Sequence, residues 1–121
     1  MSTFGERLTE LREAANIRQY EFAGMLHVSA GTVSNYESGR HTPDYEMLVT
    51  IADYFHVSVD YLLGRTDIRT PIEELEKEYI DGVSLWRLME KVVALMPSQR
   101  RTVSNVIYAL YQTRQTEPKG E

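Results

Sequence analysis

At 121 residues the chain is long enough for one ordinary domain or two very small ones, and its 42% hydrophobic content, near the globular average, supplies a core. It has no cysteine, hence no disulfide framework or thiolate metal site, and no apolar run that would span a membrane or serve as a signal-peptide core, so a cytoplasmic protein is expected. A net charge of −5 argues against broad non-specific affinity for nucleic acid, which needs a basic surface, yet leaves room for a specific binder with a few well-placed cations.

The first half reads as five short helices. In "TFGERLTELREAAN", Thr3 and Glu6 stand at capping-box spacing, and Phe4, Leu8, Leu11 and Ala15 recur on one helical face. Asn16 and Ile17 break that pattern. "QYEFAGMLHV" is a second helix with Phe22, Ala23 and Leu26 inward. Ser29 is a good N-cap for a third, over about residues 30–37, which Gly39 ends. "TPDYEMLVTIADYFHV" starts from an Asp44 N-cap and carries Met47, Leu48, Ile51, Ala52 and Phe55 at helical offsets. Ser58 caps a last turn, "VDYLLG", stopped by Gly64.

Charge is distributed unevenly along the chain. Residues 1–66 hold five Arg, no Lys and nine carboxylates, whereas residues 67–121 hold eight Lys plus Arg and nine carboxylates. Inside the acidic first half, Phe22 to Tyr36 contains no carboxylate at all. A surface that meets phosphate cannot carry carboxylates, and a buried segment would show the same depletion. Two helices separated by "HVS", the second short and rich in small residues, suggest a helix-turn-helix. Val33 and Tyr36 are the expected inner anchors of the third helix, with Ala30, Gly31, Thr32, Ser34 and Asn35 left outside or on its flanks.

The segment from about Phe4 to Gly64, half the chain, resembles the DNA-binding domain of the phage-repressor and Cro-like family, the xenobiotic-response-element type of bacterial regulator. The resemblance is carried by "RLTELRE", Gln19 to Ala23, "VSAGTVSNYESG", Pro43, "LVTIADYF" and "VSVDYLLG", in matching order and spacing. It implies a five-helix lambda-repressor-like fold with the third helix in the DNA major groove, and a role in transcriptional repression. It also implies that Ala30, Gly31 and Asn35 face base edges, where Asn pairs with adenine and Ala or Thr methyl groups touch thymine. Thr32 and Ser34 meet bases or phosphates. Gln19 at the start of the second helix, and Arg40, His41 and Thr42 after the third, fall on backbone-contacting positions, with Ser29 alongside. Arg18 departs from the Ser or Thr common in the family. It is either a poorer cap or a cation recruited to phosphate. Arg12 and Glu37 match a pair that fixes the recognition helix to the scaffold.

The second half is expected to associate. "DIRTPIEELEKEYIDG" links the halves (residues 67–83) and predicts a connecting helix from Thr70, Pro71 and Glu73, with Ile72, Leu75 and Tyr79 as its apolar stripe. Glu73, Glu74, Glu76 and Glu78 read as a solvated face, not a metal or acid–base cluster. "SLWRLMEKVVALMP" and "SQRRTVSNVIYALYQ" predict two amphipathic helices joined as an αα-hairpin over residues 84–113. Such a hairpin is too small for an ample core, so Leu85, Leu88, Val92, Val103, Ile107 and Leu110 are assigned to a homodimer interface, with an intramolecular lid as the alternative. Residues 114–121 are expected to be a disordered tail.

The fold class expected is therefore all-α: a helix-turn-helix domain (1–66) followed by a small helical segment. The function expected is a sequence-specific DNA-binding regulator, a repressor acting on double-stranded DNA as a homodimer. The alternative is a protein-interaction regulator, antitoxin-like or otherwise binding a regulatory partner through its C-terminal helices. Enzymatic chemistry is not expected. His27, His41 and His56 lie on different elements without ligand spacing, and neither a phosphate loop nor a nucleophile with its base is present, so no cofactor or metal is assigned.

Overall fold

In the computed structural model, which describes residues 2–114, the chain forms two compact units, Met1–Glu74 and Leu75–Glu121. The first contains five helices: α1 (Phe4–Ala14), α2 (Gln19–Leu26), α3 (Ala30–Ser38), α4 (Tyr45–Phe55) and α5 (Val59–Leu62). Four of the five begin at a side-chain cap that the sequence supplies. Thr3 Oγ1 accepts from Glu6 N, Ser29 Oγ from Thr32 N, Asp44 Oδ1 from Met47 N and Ser58 Oγ from Tyr61 N, each satisfying a backbone donor the helix leaves open. At α2 the help is one-sided: Glu21 Oε1 accepts from Arg18 N, but the donor-only guanidinium of Arg18 returns no cap.

One loop is used twice. "HVS" closes α2 and opens α3 at residues 27–29, then closes α4 and opens α5 at 56–58. His27 and His56 both adopt left-handed backbone, φ 57° and 53°. In each case the following Val N–H reaches back to a carbonyl of the previous helix (Val28 to Ala23, Val57 to Ala52), the closure that satisfies a terminal carbonyl. The valine tucks under the turn and the serine caps the next helix. Three residues thus turn the chain and cap both helices they join.

The core is where the periodicity places it. Leu8, Phe22, Val33, Ile51 and Leu62 are fully buried, one from each helix, so each element contributes an anchor of about 1.5–3 kcal/mol. Phe4, Ile17, Val28, Met47, Leu48 and Phe55 pack around them. The ring of Phe22 sits 5.4 Å from Phe55 and 5.7 Å from Tyr54, joining α2 to α4.

The last residues of this unit pack back on α1 and α5. Arg7, on the inner side of α1, is buried; its guanidinium lies 4.1 Å over the Tyr61 ring and donates to Thr66 O and to Asp67 Oδ1 at 2.8 Å. Ser58 N donates to Arg69 O and Ser58 Oγ to Ile68 O, while Arg69 Nη2 donates to the Tyr61 hydroxyl. Residues 67–69, expected as the start of a linker, are therefore bound to the first unit. The expected connecting helix is not formed either. A single 3-10 stretch, Ile72–Glu76, is followed by antiparallel strands β1 (Glu78–Ile80) and β2 (Val83–Ser84). Asp81 and Gly82 at the turn have φ 49° and 77°, the paired left-handed conformation of a tight Asp-Gly hairpin, which a helix cannot continue through.

Helices α6 (Leu85–Val93) and α7 (Pro97–Gln112) complete the second unit, α6 capped by Ser84 and α7 opened by Pro97 with Gln99 accepting from Met96 N. The Arg100 guanidinium reaches Val93 O across the joint. Between Leu75 and Arg114 no residue is buried. Of the expected tail, Arg114 stacks on Tyr111 at 4.0 Å, and residues 115–121 lie outside the described residues. No helix among the described residues is long and apolar enough to cross a membrane.

Two glycines separate packing from helix propensity. A Cβ on Gly5 would stand 2.3 Å from Glu37 O, because the start of α1 rests on the last turn of α3, whereas a Cβ on Gly24 meets nothing within 4 Å. Gly5→Ala should destabilise by about 1–3 kcal/mol through overpacking. Gly24→Ala should stabilise by up to about 1 kcal/mol. Urea denaturation of both variants checks the pair; equal effects would contradict the packing.

Candidate nucleic-acid interface

Helix α3 is short because both ends are fixed. Ser29 caps its start, its hydroxyl also 2.9 Å from Thr32 Oγ1, and Gly39 at φ 82° ends it in a conformation that only glycine adopts freely. Val33 and Tyr36 turn inward, and Tyr36 meets the Phe4 ring edge-on at 6.4 Å. Burial, with a smaller effect from Asp44, pushes the Tyr36 phenol above its ordinary value, so it stays neutral.

The candidate base-facing residues are left outward. Ala30, Gly31 and Ser34 are exposed, and Thr32 and Asn35 are half-buried. Gly31, Ser34, Asn35 and Ser38 recur at i, i+3, i+4 and i+7, one stripe opposite Val33 and Tyr36. Ser38 belongs to this stripe and was not among the expected residues, although its spacing was legible; its hydroxyl donates to Asn35 O. Asn35 Nδ2 lies 3.4 Å from His41 Nδ1, and His41 N donates to Asn35 O, so the residue after the turn folds back on the candidate base reader. A Cβ on Gly31 would meet only Ser29 Oγ, at 3.7 Å, so nothing in the protein requires glycine there.

The Arg12–Glu37 pair is present and buried. Arg12 Nε donates to Glu37 Oε2 at 2.6 Å and Nη2 to Oε1 at 3.0 Å, with the two side chains 12% and 7% exposed. Arg12 Nη1 donates to Ile17 O at 2.7 Å, which ties the loop ahead of α2 to the same guanidinium. Gln19 Nε2 donates to Glu37 Oε1 at 3.1 Å. Burial pushes the Glu37 carboxyl up, but hydrogen bonds from Arg12 and Gln19 and the charge of Arg12 outweigh it and hold it below its ordinary value. Its hydrogen bond raises the Arg12 pKa in turn, against burial. Gln19 and the Ile17 carbonyl join this network; the spacing of the residues gives no sign of it because they are separated in sequence from Glu37.

Of the other candidate backbone contacts, Arg18, Ser29, Arg40, His41 and Thr42 are all exposed. Among the described residues no cluster of His, Asp and Glu could hold a metal. In the second unit, Leu85, Leu88, Val92, Val103 and Ile107 line an open apolar groove of about 630 Å³, with Lys91 the one charged residue on its wall. Leu110 lies beyond that groove, exposed on α7.

Residues 8–62 match the helix-turn-helix family. The HTH-type transcriptional activator BcrR of Enterococcus faecalis is 30% identical over 112 residues, covering 88% of this chain and 55% of that protein. The uncharacterized HTH-type transcriptional regulator YobD of Bacillus subtilis is 32% identical over 78 residues, 63% of this chain and 70% of that protein. The chain spans about half the length of BcrR and of the HTH-type regulators ImmR and AnsR of B. subtilis, which it also matches. Among solved structures, the P22 c2 repressor in complex with a synthetic operator is 30% identical, with a TM-score of 0.51 over 55% of this chain and all of that one.

The buried carboxylate predicts an acid limb of stability. Because the folded-state pKa of Glu37 is lower than in the unfolded chain, its contribution is complete above the ordinary value of 4.5 and is lost as pH falls through the depressed folded value. Glu37→Gln should therefore flatten the fall in unfolding free energy below about pH 4.5, measured by urea titration at successive pH values. An unchanged acid limb would remove Glu37 as a source. Gly31→Ala should leave stability equal or raised by up to about 1 kcal/mol, while weakening DNA binding if the backbone there lies close to a base pair. Unaltered affinity in a gel-shift titration would reject close approach.

Proposed function

The chain belongs to the helix-turn-helix family of transcriptional regulators of the phage-repressor type, and from that premise we propose that it is a sequence-specific DNA-binding repressor that reads a palindromic operator as a homodimer. The observation that carries this reading is the outward stripe of α3. It holds hydrogen-bonding and small residues and no carboxylate, in a half-chain that is otherwise acidic, and exposed Arg40 follows it in the chain. Asn35 and Gly31 meet bases, while Gln19, Ser29, Arg40, His41 and Thr42 hold the sugar–phosphate backbone. The P22 c2 repressor, with which the fold is shared, is bound to operator DNA in its own structure, which supports the same use of α3 here. This function is regulatory and non-enzymatic, and places the protein in the cytoplasm.

Dimerisation is supported by the second unit. Trp86, Met89, Val93, Met96, Ile107 and Leu110 are all exposed, and a segment with no buried residue gains its apolar burial from a partner. A second copy satisfies this need and the two half-sites of an operator together. The same surface favours a second reading, a regulator whose C-terminal helices bind another protein.

Asn35→Ala should lose about 1–3 kcal/mol on the preferred sequence and almost nothing on random duplex. Arg40→Ala should weaken both alike and lower the slope of log affinity against log salt by about one unit. Fluorescence anisotropy across salt concentrations reads both; equal loss of specific and random binding in Asn35→Ala would reject base reading. Sedimentation of the purified full chain at micromolar concentration should give a dimer, and a chain ending at Glu74, which keeps its own core, a monomer. A monomeric full chain would favour the second reading.

A further inference from the structure

We infer that Glu37 is a positioning residue for the DNA backbone: its buried carboxylate holds the Gln19 amide at the start of α2, aiming the amide's second N–H at a phosphodiester oxygen. The inference rests on the proposed DNA-binding reading.

A glutamine side chain on a surface helix has three rotatable bonds, and ordering it for a single hydrogen bond cancels much of what that bond contributes. Here the ordering is done before DNA arrives. Gln19 Nε2 donates one hydrogen to Glu37 Oε1 at 3.1 Å, and among the described residues this is the one hydrogen bond of the amide. An amide nitrogen carries two hydrogens, so the second remains to donate.

Glu37 is itself immobile. Both of its oxygens are engaged by Arg12, in a fork whose remaining nitrogen fixes Ile17 O two residues before Gln19. The same carboxylate thus sets where α2 begins and where its first side chain points. Because Glu37 lies in the last turn of α3, the backbone-facing amide is also set relative to the base-facing stripe. A carboxylate near phosphate would ordinarily repel it. Glu37 avoids this because Arg12 neutralises it at 2.6 Å and only 7% of its side chain is exposed. That accounts for an acid immediately after a run free of acids, from Phe22 to Tyr36.

The test is a double-mutant cycle on DNA affinity, with preferred and random duplexes measured in parallel on the full chain. Gln19→Ala should weaken both by about tenfold, the worth of one hydrogen bond to a charged oxygen. Arg12→Met together with Glu37→Met removes the acceptor without leaving a buried charge unpaired. On the random duplex, where base reading does not enter, that pair should weaken binding by the same factor, and adding Gln19→Ala to it should weaken binding no further. A combined loss equal to the product of the two factors would overturn the inference while leaving the Gln19 contact in place. No loss in Gln19→Ala would overturn the contact itself, whereas the base reading by Asn35 would still stand on its own measurement. Gln19→Asn gives an independent check with little risk to folding: it keeps an amide at the helix start but is one methylene too short to reach Glu37. It should lose as much as Gln19→Ala, and wild-type affinity in this variant would overturn the inference.

Discussion

The first unit depends on one buried carboxylate. Glu37 is where α1, the α1–α2 loop, α2 and α3 converge, through Arg12, Ile17 O, Gln19 and the Gly5 contact under its carbonyl. An ion pair taken out of water contributes little net stability, since desolvation offsets the Coulomb gain, but it admits only one arrangement of its partners. Apolar packing of Leu8, Phe22 and Val33 holds the helices together without fixing their rotation to within a fraction of an ångström. The Arg12 fork and the Gln19 amide supply that fixing. A helix that reads base edges needs such a constraint, because a misplaced donor in a groove is a lost hydrogen bond.

The two halves of the chain put apolar surface to opposite uses. Met1–Glu74 buries its stripes and leaves outward a face of small polar residues. Between Leu75 and Arg114 the stripes of α6 and α7 stay open, with an apolar groove between the helices. On the proposed reading this is a division of labour: one unit recognises a half-site and the other joins two copies. Neither demands a basic protein, which reconciles a net charge of −5 with DNA binding. Affinity then comes from linking two modest contacts, not from accumulated cations.

What was legible in the sequence was local. Ser29, Asp44 and Ser58 announce helix starts, Gly39 announces a stop, and Val33 with Tyr36 fall inward by spacing alone. The Asp81–Gly82 hairpin was equally local but was overridden by the capping pattern at Thr70, Pro71 and Glu73, which promises a longer helix than "EYIDGVS" allows. Other features were not legible because their causes lie far apart in the chain. The burial of Arg7 depends on the Tyr61 ring and on its bonds to Thr66 and Asp67, which lie at the other end of the unit's sequence. Gln19 looks like a free polar residue until α3 brings Glu37 beside it. The candidate DNA-facing residues are legible only by resemblance and by what they lack; of those on α3, Ala30, Gly31 and Ser34 are exposed and Thr32 and Asn35 half-buried.

The central claim, that the outward stripe of α3 reads DNA sequence in a two-fold assembly, is tested most directly by selecting fragments bound by the full chain from a random duplex pool and sequencing them. The account predicts a single enriched motif with inverted half-sites whose centres are about one helical turn, or a multiple of it, apart. A pool that remains random after repeated rounds would contradict it.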